Sequence, residues 1–151
     1  MSTITSIRAA IASALAGIDG SAPYTVDVSA RVVYGLEGQP HTGGACVRYR
    51  LGAHERERAD AAFGAWVHTV DVQVEGHIGG GAQDLGTSED AAQALGVDIV
   101  TALTADPTLG GLVEDVTRIS TQPDGPGVDA MTGGWVVSVS ASYRWTSQGA
   151  S

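Results

Sequence analysis

The sequence predicts an α+β domain: a largely antiparallel sheet of four or five strands with two amphipathic helices on one face, in the order α-β-β-β-α-β-β. Three observations predict it. Two segments repeat apolar residues at helical spacing, four or five alternate apolar and polar residues with a period of two, and the apolar stripes of the helices can cover the apolar faces of the strands. With 151 residues, 43% hydrophobic and 17% charged, the chain has the size and composition of one folded domain spanning 1–151, with 146–151 as a flexible tail.

The elements follow in order. Ile4, Ile7, Ile11, Leu15 and Ile18 fall within an arc of about 80° on a helical wheel, which predicts a helix over 3–17. Tyr24, Val26, Val28, Ala30, Val32 and Tyr34 alternate with polar residues and predict a strand over 24–34. The Gly- and Pro-containing stretch Leu36 to Gly44 reads as a loop, and Ala45, Val47, Tyr49 and Leu51 as the second strand. His54 to Asp60 (HERERAD) reads as a charged surface connection. A third strand runs from Ala65 to Glu75, followed by a Gly-rich loop over Gly76 to Gly86. Thr87 and Asp90 stand at capping-box spacing before the stripe Ala91, Leu95, Ile99, Ala102 and Leu103, predicting a helix over 88–105 that Pro107 ends. Leu112 to Ser120 is a strand of mixed period, Thr121 to Gly133 another loop, and Trp135 to Trp145 the clearest alternation in the chain.

Charge excludes several functions. The net charge is -9, and all eight cations are Arg. A chain without Lys has no Schiff-base amine and no P-loop or kinase Lys, and its acidity disfavours tight nucleic-acid binding. No apolar run approaches the roughly 18 residues of a membrane span, and Met1 to Ile18 reads as a helix rather than a secretory signal. The expectation is a soluble chain made in a cytoplasm. Cys46 is the single cysteine, which forbids an internal disulfide.

A search for chemistry returns little. His41, His54, His68 and His77 form no HxH, HxxxH or HExxH pattern; His68 reads as buried and hydrogen-bonded, the others as loop residues. Gly79-Gly80-Gly81 lacks phosphate-loop spacing. There is no GxSxG elbow, and Cys46 shares its strand face with Arg48 and Arg50 rather than with a His. Glu89, Asp90 and Asp98 read as the acidic start and flank of a helix. The chain is therefore read as a non-enzyme with no catalytic, metal or cofactor residues. The polar sheet face would carry Asp27, Arg31, Arg48, Arg50, Asp71, Glu75 and Arg144, a net +1, and suits packing against protein.

The order of elements and several local phrases carry a resemblance. They are Tyr24-Thr25-Val26-Asp27-Val28, Val70-Asp71-Val72-Gln73-Val74-Glu75-Gly76, Asp98-Ile99-Val100-Thr101-Ala102-Leu103, and Asp106-Pro107-Thr108-Leu109-Gly110-Gly111-Leu112-Val113 before the last strand. The chain resembles the tail-terminator (tail-completion) family of long-tailed bacteriophages and phage-derived gene transfer agents. That resemblance implies a structural virion protein, assembled in a host cytoplasm. It implies a homo-oligomeric ring, commonly a hexamer, at the head-proximal end of the tail, between tail-tube protein and head-completion (neck) protein. DNA would pass through without specific binding, and no membrane is involved. Six copies at -9 would carry -54, which repels phosphate within a screening length of about 8 Å. Because the acidic excess lies off the sheet, Asp84, Asp106, Asp124 and Asp129 are the lumen-facing candidates. Glu55, Arg56, Glu57, Arg58, Arg48 and Arg50 are the candidate subunit-interface residues, and Pro107, Gly110 and Gly111 form a structural turn. The alternatives are a tail-tube or other neck subunit and, from another class, a small α+β enzyme or ligand-binding module.

Overall fold

A computed structural model describes residues 3–29, 31–35, 45–60, 64–79, 88–126 and 135–147. The elements are α1 (Thr3–Ala16), β1 (Val32–Tyr34), β2 (Ala45–Asp60), β3 (Ala65–Ile78), α2 (Ser88–Ala105), β4 (Asp115–Pro126) and β5 (Trp135–Ser147). They form one five-stranded sheet in the order β1-β2-β3-β5-β4. The α+β class holds, but the sheet is mixed: β1 runs parallel to β2, while the other neighbours are antiparallel.

Helix α2 lies across β3, β5 and β4, and α1 packs against α2 and β1. Ile7, Ile11 and Leu15 of α1, Leu95, Ile99 and Leu103 of α2, and Val72, Val74 and Val139 of the sheet all belong to one buried cluster. Each fully buried Leu or Ile stabilises the fold by about 1.5–3 kcal/mol relative to leaving it in water. Gly76 sits under the Leu95 side chain of α2. A Cβ there would lie 2.7 Å from Leu95 Cδ2, so only glycine lets helix and strand approach this far.

Several elements depart from their expected extent. The strand expected over 24–34 shrinks to Val32–Tyr34. Val26 and Val28 are buried, but their backbone bonds go elsewhere: Val28 N–H to the Ile18 carbonyl, and Thr25 and Val26 N–H to the Asp98 carboxylate. Asp27 and Ser29 close a local Asx turn. An irregular segment thus alternates in and out without a ladder. The expected charged connection over 54–60 is instead the second half of β2, paired with Ala65 to Val70 beyond a register shift between Leu51 and His54. Strand β3 continues through Gly76 to Ile78, where a loop was expected. Strand β4 starts at Asp115 and runs to Pro126, past the expected loop start at Thr121. Thr146 and Ser147, expected in a flexible tail, pair with Val67 and Trp66. Leu36 to Gly44 lies outside the described residues.

Candidate functional site

The sheet face turned away from the helices is polar over its centre. Cross-strand neighbours place Arg48 beside Glu75, Ser138 and Gln122, and Arg50 beside Gln73, Ser140 and Ser120. Arg48 Nη2 donates to Glu75 Oε1 at 2.9 Å, and His77 Nε2 lies 3.0 Å from the same oxygen. Burial alone would push the Glu75 carboxyl up, but the hydrogen bonds with Arg48 and His77 outweigh it and hold the group below its ordinary value. Ser142 Oγ donates to Asp71 Oδ1 at 2.7 Å. Asp71, Arg118, Gln73 and Ser140 line an open trough of about 350 Å³. Thr25, Asp27, Ser29 and Arg31 do not join this face, because their segment is not in the sheet beyond β1.

Cys46 is buried, and its register partner across the ladder is His77, also buried. The expectation that no His shares its face is therefore wrong. It failed because the third strand was ended at Glu75, two residues short of His77. His54 likewise lies in β2 and His77 in β3, not in loops. Among the described residues, no group of three or more His, Cys, Asp or Glu could hold a metal ion.

At the far end of the sheet, period-two geometry sorts the run His54-Glu55-Arg56-Glu57-Arg58. His54, Arg56 and Arg58 stand opposite Val70, His68 and Trp66, whereas Glu55 and Glu57 stand opposite Thr69 and Val67. Directly opposed residues in an antiparallel pair share a face. The first set therefore lies on the helix side of the sheet and the second on the open side. The Arg58 guanidinium lies 5.6 Å from the Trp66 ring centroid. Glu55, Arg56, Glu57 and Arg58 are all exposed. On the open side, Glu55 shares its row with Thr69, Arg144 and Asp115, and Glu114 accepts a hydrogen bond from Thr146 Oγ1.

Beneath the cationic side, His68 is completely buried and stacks on Trp145 with the rings 5° from parallel and 4.8 Å apart. Its Nδ1 lies 3.0 Å from His54 Nε2 and its Nε2 lies 2.7 Å from Ser147 Oγ. Either tautomer of His68 can satisfy both contacts: with the proton on Nδ1 it donates to His54 and accepts from the Ser147 hydroxyl, and with the proton on Nε2 it donates to Ser147 Oγ and accepts from His54 Nε2–H. Ser147, His68 and His54 have the order of a proton relay, but the enclosed imidazole offers no surface to a substrate. The arrangement locks the strand ends together. Burial, and then the charges of Arg56 and His68, hold the His54 imidazole below its ordinary value.

The six expected interface residues therefore fall into three places. Arg48 is largely enclosed and bound to Glu75, and Arg50 is exposed at the centre of the open face. Glu55 and Glu57 lie further along that face, and Arg56 and Arg58 on its reverse. Of the lumen candidates, Asp106 is exposed in the turn after α2, where its carboxylate accepts from Thr108 N–H and Oγ1 and from Gly110 N–H. Those bonds hold it below the ordinary carboxylate value. Asp84 and Asp129 lie outside the described residues, as does the side chain of Asp124 in β4. In the turn itself, Pro107 follows Asp106, and Gly110 and Gly111 adopt φ of 70° and 90°.

Besides His77, a second buried polar residue was missed as such. Asp98, expected only to line the helix, is 2% exposed and holds two backbone N–H groups of the 24–28 segment. Its position three residues after Leu95 and four before Ala102, on the edge of the apolar stripe, was the available signal. No protein-family model matches this sequence, and no curated protein sequence matches it.

Proposed function

We propose that this chain is a structural ring subunit of the tail-terminator type. In this reading it caps the head-proximal end of a tail tube, stops tube growth and presents a joining surface to neck proteins. The observation that carries the reading is the uncovered end of the sheet. Burial reaches as far as His68 and Trp145, yet β2 and β3 run on to a rim that carries the exposed Arg56 and Arg58 with the half-buried Trp66 on one face and the exposed Glu55 and Glu57 on the other. An ordered strand rim whose charged side chains are left exposed is suited to burial by neighbouring subunits, and a stable interface needs on the order of 1,600 Å². The resemblance of the Asp106 to Val113 phrase and the order of elements add to this, as does a net charge of -9 that keeps passing DNA from adhering. No helix among the described residues is long and apolar enough to cross a membrane.

Electron microscopy of the purified chain, alone and with tail-tube protein, tests the proposal. Single closed rings, or rings formed at tube tips, are the expected result. Spontaneous long tubes would assign the chain to the tube instead. A monomer by native mass spectrometry whose thermal stability rises with a small ligand would replace the structural reading with a ligand-binding one.

A further inference from the structure

We propose that copies of this chain associate front to back through the β2–β3 hairpin end, the Arg56, Arg58 and Trp66 side of one copy docking on the Glu55 and Glu57 side of the next. The contact deepens the ring reading by naming the two surfaces that meet.

Charge complementarity selects a second copy as the occupant. Strand alternation sorts the run of mixed sign by side, its arginines on one side of the ladder and its glutamates on the other. On one side stand Arg56 and Arg58, with His54 and the half-buried Trp66. On the other stand Glu55 and Glu57, with Glu114 and Asp115 around Arg144. Each pair is two strand residues apart, about 6.6 Å. The backbone spacing of the two arginines thus equals that of the two glutamates they would meet. Arg binds carboxylate in a planar, two-pronged geometry, and Trp and Arg are among the residue types enriched where interfaces gain their energy. The rest of the chain is acidic in net charge, so the Arg56 and Arg58 side attracts a second copy, which biases the orientation of the encounter. The same acidity disfavours a nucleic acid at two arginines. Because the contacting surfaces differ, the contact is heterologous. It closes into a ring where the rotation allows and otherwise grows as an open helix.

The test uses charge reversal in the full-length chain. All four substituted residues are exposed, so R56E/R58E and E55R/E57R should fold, as circular dichroism will check. By native mass spectrometry and sedimentation, the wild type should self-associate, more weakly as salt rises. Each variant alone should raise the assembly concentration by roughly ten- to a hundredfold. An equimolar mixture should reassemble, because each variant then offers the surface the other needs. The proposal is overturned if the variants assemble like the wild type, if the mixture fails to recover, or if the wild type stays monomeric at every concentration. DNA binding that R56E/R58E abolishes in a monomeric wild type would likewise overturn it. Rings indifferent to the reversals would leave the ring reading standing without this contact. Reversal-sensitive filaments or dimers that never close would support the contact and contradict the ring.

Discussion

On the side of the sheet that the helices cover, Val47, Val72, Val74 and Val139 expose at most 1% of their surface. Past the β2 register shift, the same side of the same sheet carries the exposed Arg56 and Arg58 and the half-buried Trp66. Backbone pairing is continuous through both regions. Val70, His68 and Trp145 stay buried past the shift, so what differs is the rim: helix stripes cover the first region fully, while in the second the outermost side chains meet solvent. Ladder hydrogen bonds thus extend an ordered strand beyond the core, while burial of side chains decides where stability resides. The first region holds the fold, and the second is free to hold a partner.

The comparison can be broken most severely in the covered half. Ile99→Ala removes a fully buried side chain from the centre of α2 and should lower unfolding free energy by about 2–5 kcal/mol in a urea titration. Asp98→Ala should cost about 1–3 kcal/mol by leaving the Thr25 and Val26 N–H groups without their acceptor. Asp98→Asn, which keeps a carbonyl oxygen, should cost less. If the alanine variant were as stable as the wild type, the 24–28 segment would not depend on this anchor.

A third prediction concerns the junction between the regions. The His54 imidazole is held below its ordinary 6.5, so the unfolded chain takes up this proton before the folded chain does. The contribution to stability is therefore complete above 6.5 and is lost as pH falls through the lowered folded value. Melting temperature should drop on acidification from pH 7.5, and His54→Asn should flatten that slope. The smallest effect belongs to the uncovered end. Arg56→Ala or Glu57→Ala should change subunit stability by no more than about 0.5 kcal/mol while weakening self-association.

Legibility in the sequence followed the same division. Helices α1 and α2 and the centres of β2, β3 and β5 show as periodicity because one face of each meets a core. The end of β2 did not show, since a strand with polar residues on both faces has no period to detect. It looked like a charged loop until its partner, Ala65 to Val70, was seen across from it. The converse error lay at residues 24–31, where alternation was real but the hydrogen bonds went to Asp98 and Ile18 instead of a neighbouring strand. Gly76 misled for a third reason. It serves the close approach of Leu95, not a turn. The candidate residues were legible as a charged run, but their separation into two surfaces required knowing that the run is extended and where the register shifts.

The central claim is that the bare end of the sheet is where subunits meet. Side-chain footprinting of carboxylates and guanidinium groups, compared between the dispersed chain and its assembled particle, tests it most directly. Glu55, Glu57, Arg56 and Arg58 should lose reactivity on assembly, while Asp19 and Asp27, exposed in the segment after α1, should change less. Unchanged reactivity of all four in the assembled particle would contradict the account.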